Sequence, residues 1–257
     1  MIELRNIHKF YNPGTVNEMC LFDDFNLTIQ DQEFVSIVGS NGSGKTSMLN
    51  LICGSIDTDR GQILINGEDI TRKKDYLRHR NIGRVYQDPS KGTCASMTIL
   101  ENMAIADNKG KAYNLGQSVK KNRIDYYKEL LLPLNLGLED KLYTKVGSLS
   151  GGQRQAVALL MATMTSIEML ILDEHTAALD PKTAEIIMEL TDKIVREKKL
   201  TTMMVTHNLR YAVQYGNRLV MMHQGEAIVD KSNEEKSKMK VEDIMGVFNE
   251  ISIECGN

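Results

Sequence analysis

One segment of the chain combines residue types that hold phosphate groups. Residues 39–46 read GSNGSGKT, which fits the glycine-rich phosphate-loop pattern. Glycines at its turns let the backbone point N–H groups at phosphate oxygens. Lys45 offers a positive charge to the outer phosphates, and the hydroxyl of Thr46 suits Mg²⁺. The segment predicts that the chain binds a nucleoside triphosphate.

Two adjacent carboxylates could act on the same ligand. Asp173 and Glu174 directly follow the apolar run Met169–Leu172. Asp173 is predicted to hold Mg²⁺ through water, and Glu174 is predicted to be the general base for an attacking water. A solvated acidic turn is the alternative interpretation, but the phosphate loop in the same chain favours catalysis.

An unbroken LSGGQ segment lies at residues 149–153, before the apolar helix predicted for Ala156–Met164. Ser150 and Gln153 have the spacing of a capping box at a helix start. A helix N-terminus offers free N–H groups and the positive end of its dipole to a phosphate. The capping box does not explain Gly151 and Gly152, which weaken a helix, so the segment favours phosphate contact.

The candidate residues lie at the ends of predicted strands and helices, which position them. A buried strand is predicted for Phe34–Val38, followed by the glycine loop and a helix from Lys45 to Cys53 that stops at Gly54. Four candidate residues each follow such an apolar run: Gly39, Gln87, Asp173 and His207. Alternating strands and helices predict an α/β protein with a mostly parallel sheet, and these residues should converge at one edge of it.

The remaining segments are assigned more coarsely. Ile63–Ile65 followed by Asn66-Gly67 predicts a hairpin. The stretch 100–165 reads as a helical insertion broken at Pro133. From Lys231 the chain is polar, with a short helix expected at Val241–Phe248. We expect one domain over residues 1–257, with a helical subdomain at about 88–160 and a polar tail at about 231–257.

Composition narrows the class of protein. The 257 residues are 42% hydrophobic and 25% charged, with a net charge of −3, which argues against a nucleic-acid-binding surface. Four widely spaced cysteines (Cys20, Cys53, Cys94, Cys255) predict reduced thiols rather than disulfides or a zinc site. The start has no apolar signal core, and no run approaches the length of a membrane span. Any work at a membrane is expected to be done through a partner.

Together the motifs resemble the nucleotide-binding subunit of an ATP-binding-cassette (ABC) transporter, over nearly the whole chain. The resemblance implies a P-loop NTPase (RecA-like) core with an antiparallel β part and an inserted helical subdomain. It also implies ATP and Mg²⁺ as cofactors, with Mg²⁺ at Thr46, Gln87 and Asp173. The residues implied to bind ATP are Tyr11, Gly39, Ser40, Asn41, Gly42, Ser43, Gly44, Lys45, Thr46, Ser47 and Gln87.

Four weaker positions take their roles from the resemblance alone. Gln87 matches the loop glutamine that contacts Mg²⁺ and senses the membrane partner. His207 matches the switch histidine that touches the γ-phosphate, and it joins Glu174 as a catalytic residue. Tyr11 matches the aromatic residue that stacks on adenine, and Asp180 matches the loop that contacts the second cassette.

The resemblance also implies the assembly. Two copies bury two ATP molecules head to tail, with Ser150, Gly151, Gly152, Gln153 and Asp180 acting on the ATP of the partner copy. Hydrolysis then drives integral-membrane permease subunits, whose helices we expect to meet the stretch 87–103 at the cytoplasmic face of a bacterial membrane.

The residues around Glu174 narrow the resemblance further. His175 stands where the family usually has proline, and Ala178 stands where serine is common. His175 could shift the pH dependence of Glu174, or it could be a tolerated substitution. The segment resembles a bacterial branch that works with a permease and a substrate-binding lipoprotein, with aromatic amino acids as proposed cargo.

Two other functions are consistent with the phosphate loop. A soluble ABC ATPase without a permease, of the cluster-assembly type, has the same motifs. A kinase or GTPase would leave the LSGGQ segment unexplained.

Overall fold

The computed structural model describes residues 1–111 and 118–254. The strands are β1 Ile2–Tyr11, β2 Met19–Ile29, β3 Phe34–Gly39, β4 Arg60–Ile65, β5 Glu68–Asp69, β6 Ile82–Val85, β7 Met169–Asp173, β8 Thr201–Val205, β9 Arg218–His223 and β10 Glu226–Ser232. The helices are α1 Lys45–Cys53, α2 Asp75–Arg78, α3 Ile99–Asp107, α4 Ile124–Leu131, α5 Gly151–Thr163, α6 Pro181–Lys198, α7 Leu209–Gln214, α8 Asn233–Lys238 and α9 Val241–Glu254. They form two compact units: Met1–Asp75 with the described residues from Thr201 onward, and Tyr76–Leu200.

An antiparallel sheet in the first unit has the strand order β2-β1-β4-β5. Its central strand β1 pairs on both sides, since Ile2 is opposite Ile29 of β2 and Ile65 of β4. Asn66 and Gly67 have φ values of 51° and 79°, and positive φ at both positions suits a tight hairpin turn. The hairpin predicted at this point is confirmed.

The first unit also contains a mainly parallel group of strands in the order β10-β9-β3-β8. Strand β3 is buried along its whole length and runs parallel to both β8 and β9. A strand enclosed on both faces needs a continuous apolar run, which is the pattern that predicted it. Helix α1 follows β3 over the predicted residues and ends at Gly54, whose φ of 78° suits a helix C-cap.

The C-terminal segment is more structured than its polarity predicted. Strand β10 continues to Ser232, and the last helix runs to Glu254 instead of ending near Phe248. Ile244 of α9 is only 1% exposed and belongs to a core cluster with Val38 and Met221. Helix α9 is therefore longer than expected because one of its faces buries apolar residues against other elements of the first unit, to which α9 also belongs.

The second unit contains the parallel pair β6–β7, in which Arg84 lies opposite Ile171. It also contains helices α3 to α6, of which α3, α4 and α5 fall in the stretch predicted to be helical. Helix α4 ends at Leu131, just before Pro133, and a single 3₁₀ turn follows. The α/β prediction, with parallel and antiparallel strands, is confirmed.

The structure describes three of the four cysteines. Cys20, Cys53 and Cys94 are free thiols, and Cys255 lies outside the described residues. No helix in the described part of the chain has both the length and the hydropathy to span a membrane.

Candidate functional site

The phosphate loop has a backbone that only glycine adopts easily. Gly39, Gly42 and Gly44 have φ values of 155°, 80° and 100°, in the region that disfavours side chains. A Cβ at Gly39 would lie 2.3 Å from the carbonyl oxygen of Met222, and one at Gly44 would lie 2.9 Å from the ring of Phe22. Gly39 and Gly44 are therefore required by close packing as well as by backbone conformation, whereas Gly42 is required by its backbone conformation alone.

Lys45 lies folded against this loop. Its Nζ donates to the carbonyl oxygens of Gly39 at 2.7 Å and Ser40 at 2.8 Å, and the residue is only 5% exposed. Thr46 is exposed in the first turn of α1, which contains no acidic residue. A helix start without acidic side chains leaves its N–H groups and dipole available to an anion.

Tyr11, at the end of β1, lies beside the helix that follows the loop. Its hydroxyl is 3.0 Å from Oγ of Ser47, and its side chain is partly exposed. The contact places the ring of Tyr11 beside the first turn of α1, directly after the phosphate loop.

His207 follows strand β8 and is exposed. The N–H of the preceding residue, Thr206, donates to the carbonyl of Ile37 in β3 at 3.1 Å. Gly39 is the last residue of β3 and His207 lies two residues beyond β8. Because β3 and β8 are parallel neighbours, both residues lie at the carboxyl ends of their strands, at the same edge. The expected convergence is therefore present for the residues that belong to the first unit.

Asp173 ends strand β7 and forms an ion pair that the sequence did not predict. Its Oδ2 accepts a hydrogen bond from Nη2 of Arg84 at 2.7 Å, and the two side chains are 16% and 6% exposed. The guanidinium carbon of Arg84 lies 4.7 Å from the ring centroid of Tyr86, at the distance of a cation–π contact. A buried cation is thus held against the carboxylate predicted to hold Mg²⁺.

Glu174 has a left-handed backbone with φ of 49°. This conformation is uncommon for a residue other than glycine and costs about 1–2 kcal/mol. Strained backbone residues of this kind cluster at functional sites. The turn after β7 is closed by the N–H of Ala177, which donates to the carbonyl of Glu174 at 2.9 Å.

His175 is buried and neutral. Its Nε2 lies 3.1 Å from Oγ1 of Thr191, whose hydroxyl donates to the carbonyl of Ile187 at 2.7 Å. Since that hydroxyl proton is already engaged, Nε2 of His175 must be the donor. Burial lowers the pKa of His175 to about 4. The ring therefore anchors the turn to α6 and does not titrate near neutral pH beside Glu174.

Gln87 follows strand β6 and is exposed. The backbone just before it is held by Gln155 of α5, whose Nε2 donates to the carbonyl of Tyr86 at 3.0 Å. Gln155 is 1% exposed and was missed by the sequence reasoning. The available signal was an amide within the otherwise apolar face of α5.

The LSGGQ segment starts helix α5 through the predicted capping box. Oγ of Ser150 accepts from the N–H of Gln153 at 3.3 Å, and the side chain of Gln153 accepts from the N–H of Ser150 at 3.3 Å. Asp180 caps α6 in a similar way, accepting from the N–H of Thr183 at 3.1 Å. Hydrogen bonds from the side chain and then from the backbone N–H of Thr183 lower the pKa of Asp180.

The two glycines of this segment have different surroundings. A Cβ at Gly152 would lie 2.1 Å from Cγ2 of Thr183, whereas one at Gly151 would meet only Cδ2 of Leu179 at 3.4 Å. Packing against Thr183 therefore gives a structural reason for Gly152 that the capping box does not supply. Gly151 is exposed, and its lack of a side chain leaves the start of α5 accessible.

A family model described as "ABC transporter" matches residues 22–177, a span that contains the phosphate loop, the LSGGQ segment and both carboxylates. The chain belongs to the ABC transporter family. As a cassette of this family it binds and hydrolyses ATP, and the prediction from the motifs is confirmed. The kinase and GTPase interpretation is rejected.

Relatives of this ABC cassette include a tyrosine transport ATP-binding protein of Clostridioides difficile (strain R20291). The two are 48% identical over 96% of this chain and 98% of that protein. A spermidine/putrescine import ATP-binding protein of Haemophilus influenzae is 34% identical over 91% of this chain, which spans only 59% of that longer protein. The cassette matches the tyrosine relative along its length and only part of the polyamine relative.

Solved structures show the same fold. A dimeric ATP-binding cassette in a post-hydrolysis state, bound to ADP and Pi, has a TM-score of 0.76 and 31% identity, with 90% of this chain and 98% of that chain covered. The ADP conformation of another ATP-binding cassette of an ABC transporter has a TM-score of 0.80 and 25% identity and covers 100% of this chain. The predicted cassette fold is confirmed.

Proposed function

We propose that this ABC cassette is the ATP-hydrolysing subunit of a bacterial importer of aromatic amino acids. It works as an ATP-dependent head-to-tail homodimer on a separate integral-membrane permease, with a substrate-binding lipoprotein in the same system. The observation that carries the proposal is a complete set of cassette motifs in a chain 48% identical, along nearly its whole length, to a tyrosine transport ATP-binding protein.

The phosphate loop would hold the triphosphate. Its turns bring backbone N–H groups together, and the start of α1 adds the positive end of a helix dipole. Lys45, already held at the loop by two carbonyl oxygens, would share its ammonium with the outer phosphates. Tyr11 would stack its partly exposed ring on adenine.

Thr46, Gln87 and Asp173 fit Mg²⁺ by their chemistry. A hydroxyl, an amide and a carboxylate supply the oxygen ligands that Mg²⁺ takes. Mg²⁺ usually keeps several waters and binds through one or two carboxylates together with substrate phosphates. When bound, Mg²⁺ would neutralise charge on the transferring phosphate.

Glu174 would accept the proton of the attacking water, and His207 would contact the γ-phosphate. The turn that carries Glu174 is closed by the N–H of Ala177, and neutral His175 anchors the same turn to Thr191. Ser150 and Gly151 of the partner copy would present the start of α5 to the same phosphate. The turn that carries the general base is thus held by the protein itself.

Glu174→Gln should bind ATP but turn over at least about 100-fold more slowly, because general-base catalysis contributes a factor of that size or more. The matched control is Glu189→Gln on the exposed face of α6, which should hydrolyse at the normal rate. A near-normal rate for Glu174→Gln would overturn the assignment.

A cleft in the second unit suits the permease contact. It has a volume of about 230 Å³, and small residues (Gly92, Ala106, Ala158) leave room beside the ring of Tyr86. Lys109 adds positive charge to its wall. Gly92 is the one lining residue that belongs to the predicted stretch 87–103, so the proposed groove extends beyond it onto β6, α3 and α5.

The permease contact can be tested by capture from native membranes solubilised in detergent. Tagged Glu174→Gln protein with ATP should retain a multi-helix permease, identified by mass spectrometry. Adding Gly92→Leu should abolish capture, since its side chain enters the cleft without a close contact: the nearest atom to its Cβ is 3.8 Å away. Gly246→Leu, at an exposed position with open space, is the matched control.

Recovery of soluble proteins alone, with the tagged chain absent from membranes, would instead favour the cluster-assembly type of soluble ABC ATPase.

The cargo is tested with the recovered permease and binding protein reconstituted in liposomes. Uptake of labelled tyrosine on ATP addition is expected, and uptake of spermidine or a phosphonate in its place would contradict the aromatic assignment.

A further inference from the structure

The ion pair between Arg84 and Asp173 involves the carboxylate that we propose as a Mg²⁺ ligand. Arg84 lies on β6 and Asp173 ends the neighbouring parallel strand β7, so both side chains are held by the sheet. Their contact of 2.7 Å is nearly enclosed. A charged hydrogen bond in such a setting is stronger than one in water.

Tyr86 restrains the cation from its other side. Its ring centroid lies 4.7 Å from the guanidinium carbon, and Gln155 fixes the backbone of Tyr86 through its carbonyl. The guanidinium is therefore held between an aromatic face and the carboxylate. One oxygen of Asp173, Oδ2, is engaged by this cation.

From this geometry we propose that Arg84 is a positioning residue that sets the affinity of the cassette for its divalent cation. The inference rests on the proposed role of Asp173 as a Mg²⁺ ligand. Arg84 orients the carboxylate and also places a positive charge beside it, and like charges repel. Mg²⁺ must share Asp173 with Arg84, so the cassette binds the metal more weakly than an unpaired aspartate would allow.

The test measures metal binding directly, by electron paramagnetic resonance of Mn²⁺ with a non-hydrolysable ATP analogue. Arg84→Gln keeps an N–H donor for Asp173 but removes the charge, so the half-saturating Mn²⁺ concentration should fall about three- to tenfold. Arg84→Lys keeps the charge and should stay near the wild-type value. Arg84→Met removes both charge and donor and is the second variant if the Gln variant does not fold.

Two further comparisons distinguish the role of Arg84 from the proposed role of Asp173 as a Mg²⁺ ligand. Asp173→Asn alone should weaken Mn²⁺ binding, and if it has no effect the metal assignment of Asp173 fails. In an Asp173→Asn background, Arg84→Gln should have no further effect, since Arg84 acts through that carboxylate. Unchanged or weaker Mn²⁺ binding by Arg84→Gln, with the effect of Asp173→Asn intact, would overturn the role of Arg84 alone.

Discussion

Gly152→Ala is expected to destabilise the protein even though alanine is the better helix former. The new Cβ would lie 2.1 Å from Cγ2 of Thr183, where carbon atoms normally pack at about 3.5–4.0 Å. Thr183 is β-branched and lies in the first turn of α6, so it cannot rotate away freely. Overpacking of this kind costs about 1–3 kcal/mol, and alanine regains at most about 1 kcal/mol of helix propensity. With the full gain in propensity, a net loss of up to about 2 kcal/mol is expected.

The contact is measured by a double-mutant cycle, in which urea unfolding gives the free energy of unfolding of each variant. Thr183→Ser removes Cγ2. The free energy of unfolding of the Gly152→Ala, Thr183→Ser double variant should therefore lie within about 0.5 kcal/mol of that of Thr183→Ser alone. Gly151→Ala, whose Cβ meets one atom at 3.4 Å, is the control and should change stability little. Normal stability of Gly152→Ala, or no rescue by Thr183→Ser, would refute the packing argument.

The same variants separate packing from contact with ATP. The rescued double variant should be stable and hydrolyse ATP at nearly the normal rate, because its methyl group points at residue 183 of α6. Gly151→Ala should be stable yet hydrolyse ATP poorly, because its methyl group lies at the exposed start of α5, where we propose that the partner's γ-phosphate approaches. Poor ATPase activity in the rescued variant would show that Gly152 serves more than packing.

Two further predictions concern buried polar groups. In the unfolded chain His175 takes up a proton as pH falls below about 6.5, whereas the buried ring, with its pKa of about 4, does so only near pH 4. The free energy of unfolding should therefore decrease by about 3 kcal/mol between pH 6.5 and pH 4. Urea unfolding of His175→Gln should lack this loss, and an unchanged pH slope would contradict it. Lys236→Met removes three hydrogen bonds to the carbonyls of Val213, Tyr215 and Gly216, which should cost about 2–4 kcal/mol. Hydrogen exchange should then rise in α7 and α8, and unchanged protection would contradict the anchoring role.

Local patterns were enough to find the elements that carry the motifs. The apolar run Phe34–Val38, the glycines after it and the amphipathic α1 are contiguous in sequence, so their strand, loop and helix could be predicted together. The capping box of Ser150 and the N-cap at Asp180 are also local, because each hydrogen bond spans three residues. The polar C-terminal segment was assigned less well, since burial of Ile244 depends on distant strands.

The sequence by itself determined the family, the ATP chemistry and the candidate site residues, because these depend on residue type at short spacing. Tertiary structure decided which side chains restrain them. Arg84 meets Asp173 only because β6 and β7 pair in one register, and Gly152 meets Thr183 only because the starts of α5 and α6 come into contact. Such contacts join residues far apart in the chain, and periodicity within either segment carries no information about the distance between them.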